Sequence, residues 1–215
     1  MKGSMASLLL AALLLAAGPV RAGEPDDGLQ ALIAAFDVAR FESPRWERVA
    51  ALRAVAADAA MLATRHPDAT GPLVVRGAAL TELAIGAGGA AGADDAGEAR
   101  AVLKEALARD PAALHGAAHT SLGLLYHKMP SGPLGVGSPR RAERQFRHAL
   151  AVDPQGVEPN YRYADFLADQ DRPEEARRHA GLALAAAPGG TGRPVADAAL
   201  AAAARELVAE LGPGD

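Results

Sequence analysis

The sequence predicts an all-α fold: a right-handed solenoid of antiparallel helix pairs, with about nine helices after an export segment. Three observations carry that expectation. Alanine supplies 54 of the 215 residues and aromatics only 4%. That balance favours helix, because alanine is the best helix former and strands draw on aromatic and β-branched residues. Three segments end alike, as Ala106-Leu107-Ala108-Arg109-Asp110-Pro111, Ala149-Leu150-Ala151-Val152-Asp153-Pro154 and Ala183-Leu184-Ala185-Ala186-Ala187-Pro188, and a weaker fourth ends at His66-Pro67. Ahead of each proline, apolar residues recur at fixed offsets. Leu62, Ala106, Ala149 and Ala183 stand five residues before it, Ala59, Leu103, Phe146 and Ala180 eight before, and Val55, Ala99, Ala142 and Ala176 twelve before. Such offsets share one helix face. Proline then stops the helix, because it cannot continue the hydrogen-bond ladder.

Residues 1–22 read as a cleavable secretory signal. Lys2 gives a positive start, Leu8 to Ala17 is an unbroken apolar run, Gly18-Pro19 breaks it, and Val20-Arg21-Ala22 offers a small-residue cleavage site before Gly23. The run is too short to span a bilayer, so a periplasmic location is expected, with no stable membrane insertion after cleavage. Losing Lys2 and Arg21 takes the net charge from −4 to −6. Residues 23–67 read as a divergent helical pair, Asp26 to Phe41 and Pro44 to Arg65. Residues 68–190 hold the repeats, and residues 191–215 a capping helix, Pro194 to Leu211, with a tail. Proline opens that helix and Gly212-Pro213 ends it.

The proline spacings are 44, 43 and 34 residues. The excess over 34 has a place in each long repeat: Gly86 to Gly97 is rich in Gly, Ala and Asp, and Met129 to Pro139 carries three prolines and three glycines. Both fall between the helices of a pair, where insertion costs little. The helices in front carry Arg76-Gly77-x-x-Leu80, Leu122-Gly123-x-x-Tyr126 and Tyr163-Ala164-x-x-Leu167. A small second residue lets two helices approach closely, and Ala142-x-x-x-Phe146 completes the pattern. This period and motif resemble those of tetratricopeptide-repeat proteins, over roughly residues 70 to 190.

A narrower resemblance rests on Ser121-Leu122-Gly123-Leu124-Leu125-Tyr126-His127-Lys128-Met129-Pro130, Pro133-Leu134-Gly135-Val136-Gly137, Asp153-Pro154-Gln155-Gly156-Val157-Glu158-Pro159-Asn160-Tyr161 and Asp165-Phe166-Leu167. Together they are similar to a group of small exported bacterial repeat proteins, and more loosely to repeat proteins associated with TRAP-type solute transporters. The chain departs from that group at Gly132, Val136 and Ser138, where its members carry Trp, Phe and Asp. The transporter-associated proteins are lipoproteins, an anchor that a chain without cysteine cannot carry.

Zero cysteines exclude disulfides, thiol catalysis, iron–sulfur clusters and cysteine-ligated zinc. No basic block marks a nucleic-acid surface. His115, His119 and His127 are spaced to share a helix face, but no H-E-x-x-H motif accompanies them, and no metal or cofactor is expected. Asp94-Asp95 falls in a Gly/Ala loop. Glu174-Glu175 falls at a helix start, where carboxylates suit the dipole. No nucleophile elbow, P-loop or dinucleotide fingerprint is present, so no enzymatic activity is expected.

First helices of tetratricopeptide repeats line a concave groove. The resemblance therefore places Thr81, Glu82, Thr120, His127, Lys128, Glu158, Tyr161, Asp165 and Asp169 on that face. Lys128 and Tyr161 suit an acidic or extended peptide through charge-assisted and aromatic contacts. Two functions remain open: a non-enzymatic periplasmic scaffold binding a partner protein or peptide through the groove or the 129–139 loop, and a transporter accessory that binds a small solute or docks a solute-binding protein. A buried pocket with converging polar groups would favour the second.

Overall fold

The computed structural model describes residues 25–132, 135–186 and 192–212, so residues 1–22, read above as an export segment, and Pro188 lie outside the described residues. Nine α-helices are present among these residues. They are α1 (Pro25–Asp37), α2 (Arg45–Arg65), α3 (Gly71–Ala87), α4 (Ala93–Arg109), α5 (Ala113–Lys128), α6 (Pro139–Val152), α7 (Val157–Ala168), α8 (Pro173–Ala185) and α9 (Pro194–Leu211). Each packs on the next. α1, α3, α5, α7 and α9 also pack successively on one another, forming an inner layer.

The repeated apolar positions explain the packing. All the residues five, eight and twelve before the prolines are buried. The helices α2, α4 and α6 each end two residues before their proline, at Arg65, Arg109 and Val152. Size is matched across each pair. A Cβ on Gly123 would stand 2.6 Å from Cε1 of Phe146, and one on Gly77 would run into the Leu103 side chain. In the third pair both positions are alanine, and Ala164 and Ala180 share a small apolar cluster. A large residue therefore faces glycine, and alanine faces alanine, which keeps the helices close with few aromatics.

Three local results differ from the expectations. The first helix stops at Asp37, four residues short of Phe41, and the chain continues as a π-helical turn, Val38–Glu42. This wider turn carries Arg40 into the interior, where it is buried beside Ala39. Second, Leu114, His115 and Gly116 all take left-handed φ values of 48°, 56° and 74°. The right-handed part of α5 begins after them, so His115 and His119 do not share a helix face. Third, α3 extends to Ala87 and α4 begins at Ala93, so much of the 86–97 insertion is helical. Asp94-Asp95 forms the first turn of α4, not a loop, and Asp95 accepts from both Arg53 terminal nitrogens at 2.6 and 2.7 Å.

The connection from α5 to α6 is pinned at its two ends. Gly137 N–H donates to Pro130 O at 2.9 Å and Ser138 N–H to Tyr126 O at 2.8 Å. Arg141 lies over the Tyr126 ring at 4.7 Å and donates to Val136 O at 3.0 Å. Residues 133 and 134 lie outside the described residues.

Candidate functional site

A chamber of about 150 Å³, partly open to solvent, lies among the inner helices. Side chains reach it from α1, the π turn, α3, α5, α7 and α9. Its lining is mixed: Ile33, Phe36, Val74, Leu124 and Leu200 are apolar, and Arg40, Glu82, Thr120, Ser121, Glu158 and Arg193 are polar or charged.

The first and last turns of the solenoid meet across this chamber. Arg193, the residue before the Pro194 that opens α9, grips Asp37 through two nitrogens at 2.6 and 3.1 Å. Its third nitrogen donates to Glu158 Oε2 at 3.0 Å. Glu158 Oε1 accepts from Arg40 Nη1 at 2.6 Å, and Arg40 Nε reaches Glu82 Oε1 at 2.7 Å. Arg162 adds a weaker contact to Glu82 at 3.5 Å. The two-pronged grip on Asp37 is the strong geometry for a guanidinium and a carboxylate. Burial by itself would raise the Glu158 pKa, but the guanidinium groups of Arg40 and Arg193 outweigh it and hold the carboxyl at about 2. Burial likewise works to lower Arg40, and Glu158 and Glu82 more than compensate, so its pKa is raised. The same balance, set by Glu158 and Asp37, raises Arg193. Arg40, Glu158 and Arg193 therefore stay charged in the interior.

The nine groove residues expected from the sequence fall into separate places. Thr81, Glu82, Thr120 and Glu158 line the chamber. His127, Lys128, Asp165 and Asp169 form a second cluster. Lys128 Nζ lies 3.0 Å from both Asp165 and Asp169, and His127 Nε2 lies 2.8 Å from Asp169. Burial would raise Asp169, but hydrogen bonds from Lys128 and His127 lower it. Lys128 is thus already shared between two carboxylates. Tyr161 belongs to neither group. It packs at the edge of two small apolar clusters, and burial pushes its hydroxyl up to about 12.

Sequence reasoning missed Asp37, Arg40 and Arg193, and also Asn160. Asn160 is fully buried and donates to Pro154 O and Gly156 O at 2.9 Å each, while its Oδ1 lies 2.9 Å from His179 Nδ1. It therefore ties the α6–α7 connection to α8. Within the Pro154-to-Tyr161 run, this residue has a structural task.

The histidines give a first expected result. Burial depresses the pKa values of His119, His127 and His179 below the ordinary 6.5. The unfolded chain then takes up protons that the folded chain refuses, so stability is complete above about pH 6.5 and is lost as pH falls below it. The melting temperature should hold level from about pH 8 to 7 and decline from about 6.5 to 5. That decline lies well above the range where Glu158 titrates. A melting curve series with no change between pH 7 and 5 would contradict it.

No family model matches the chain, and no curated protein matches it in sequence. Among solved structures, a thermophilic TPR protein of Thermus thermophilus is similar, at 22% identity and a TM-score of 0.54. The match covers 73% of this chain and 79% of that one. At this identity the likeness speaks for fold, and it agrees with the helix pairing above: the chain folds as an all-α solenoid of the tetratricopeptide kind.

Proposed function

We propose that this chain is a non-enzymatic binding protein of the bacterial periplasm whose interior holds a small solute, in the role of a transporter accessory. The observation that carries this reading is the closure of the groove. An extended peptide lying along a solenoid needs an open channel with two exits. Here Arg193, Asp37, Glu158 and Arg40 join the two ends of the solenoid, leaving a chamber lined by both polar and apolar side chains. Such a shape is the usual form of a small-molecule site. The pattern of residues 1–22 supports export, and among the described residues no helix is long and apolar enough to cross a membrane.

A partner protein fits the outside better than the inside. Trp46 is 81% exposed and Val49 58% exposed on α2. Aromatic anchors of this kind dominate many interfaces. That second reading is compatible with the first, since an accessory protein has to dock on something.

The test is native mass spectrometry of protein recovered gently from the periplasmic fraction. A solute mass lost on denaturation, together with an N-terminus at Gly23, is the expected result. Protein that stays in the cytoplasm with its leader intact would remove the periplasmic reading. An empty chamber, together with tight capture of unstructured peptides, would remove the solute reading.

A further inference from the structure

We propose that the chamber selects a small organic cation, a primary ammonium on a short apolar body, held at Glu82 and Thr120. This rests on the reading of the interior as a solute chamber, and it names the class of solute.

Charge excludes an anion first. The lining holds four carboxylates, Glu82, Asp153, Glu158 and Asp197, against two guanidiniums, Arg40 and Arg193. Both guanidiniums are committed, Arg40 to Glu82 and Glu158, and Arg193 to Asp37 and Glu158. The one Arg40 nitrogen without a partner, Nη2, is sealed from solvent, and the guanidinium lies 4.6 and 5.7 Å from the ring centres of Phe41 and Phe36. A carboxylate or phosphate entering the chamber would meet surplus negative charge and guanidiniums already taken.

The open groups are acceptors. Glu158 uses both oxygens on arginines, whereas Arg40 and Arg162 both approach Glu82 most closely at Oε1, and Oε2 makes no hydrogen bond among the described residues. Thr120 is only 5% exposed, and that remaining surface belongs to a residue lining the chamber. Its hydroxyl makes no hydrogen bond among the described residues and is not among the sealed polar atoms. Thr81, on the adjacent inner helix and in the same lining, differs: its hydroxyl is spent on Gly77 O at 2.8 Å. A buried hydroxyl left open to a cavity, in the same lining as a carboxylate oxygen also left open, suits an ammonium, which donates three hydrogen bonds and accepts none. No group of three or more metal-ligating side chains is present among the described residues, so the site does not suit a bare metal ion.

The apolar part of the lining sets the body of the ligand. Ile33, Phe36, Val74, Leu124 and Leu200 offer only apolar surface. A cavity of about 150 Å³ elsewhere accommodates benzene, so a body of about six to eight non-hydrogen atoms is the right size.

The test uses three matched probes, benzylamine, benzyl alcohol and benzoate, titrated into the full mature protein near neutral pH by calorimetry. Benzylamine should bind with one site per chain, and benzoate should not bind. Thr120→Val removes one hydroxyl without touching the ion network. It should fold as the parent does and weaken benzylamine binding about tenfold. Glu82→Gln should abolish binding. If it fails to fold, Thr120→Val still decides the matter. Benzoate binding as well as benzylamine, or benzylamine binding unchanged by Thr120→Val, would overturn the proposed class and site. Binding of benzyl alcohol alone, or a co-purified neutral solute, would also overturn the class while leaving the chamber reading standing. If no probe binds and the purified protein is empty, both fall.

Discussion

Glu158→Gln should lower the melting temperature by about 10 °C at neutral pH. Among the described residues, Glu158 is the only carboxylate that meets both Arg40 and Arg193, and its two oxygens are divided between them at 2.6 and 3.0 Å. Without its charge, three buried or half-buried guanidiniums, Arg40, Arg162 and Arg193, lose the counter-charge they share. Breaking one partner out of a buried ion network costs about 3 to 5 kcal/mol, because the remaining charges are left without water or counter-charge. Linkage gives a figure of the same order. A carboxyl held at about 2 instead of 4.5 contributes about 3 kcal/mol above its unfolded pKa. The folded pKa is the depressed one, so this stability is present above about pH 4.5 and is lost as pH falls toward 2. The gap between the parent and Glu158→Gln should therefore be widest near pH 7 and narrow below about pH 4. Replacing Arg40 and Glu158 together with methionine should cost less than Glu158→Gln. Two balanced pairs then remain, Arg193 with Asp37 and Arg162 with Glu82. Thermal melts of the single and double variants across pH decide this. A single variant that melts within about two degrees of the parent would mean the ends do not meet.

Phe146→Ala should be comparably damaging, at about 4 kcal/mol, and should fail for a different reason. Phe146 is fully buried, stands eight residues before Pro154, and fills the space that Gly123 leaves. Its ring also lies 5.6 Å from that of Phe166 and 6.1 Å from that of Tyr163. Truncation leaves a cavity between α5, α6 and α7 that close-packed helices cannot collapse into. Gly123→Ala approaches the same site from the opposite side and should cost about 1 to 3 kcal/mol by overpacking. Combining Gly123→Ala with Phe146→Leu should recover part of both losses, because the added methyl enters the space the ring gave up. Denaturant unfolding of the two singles and the double gives the coupling directly. Strict additivity would show that Gly123 and Phe146 do not pack as a pair.

The helix pairs were legible because their rules are local. Phe146, Leu103 and Ala180 sit at one offset from a proline, and each faces a small residue in a motif some twenty residues earlier. Those facts lie within one helix hairpin. The α9 bounds, Pro194 to Leu211, follow from proline and glycine alone. The closure of the chamber was not legible, because it depends on Arg193 meeting Asp37 across 156 residues of sequence. No periodicity reaches that far. The π turn hid Arg40 for a related reason. Continued as an α-helix to Phe41, the segment has no cause to turn a cation inward, and a buried arginine reads as an ordinary surface one until its carboxylates are placed. The groove residues divide in the same way. Thr120 and Glu158 were found because inner helices carry them, whereas Lys128 looked available for a ligand until Asp165 and Asp169 were brought beside it.

The measurement that tests the closed chamber most directly is a spin-label distance between the first and last turns. The chain has no cysteine, so Val38→Cys on the π turn and Ala198→Cys on α9 can be labelled as a unique pair. Both positions are exposed, and neither belongs to the ion network. A single narrow distribution at short distance, broadening and lengthening when Glu158→Gln is added, is the expected result. A long, broad distribution in the otherwise unaltered protein, unchanged by Glu158→Gln, would contradict the closure and with it the solute chamber.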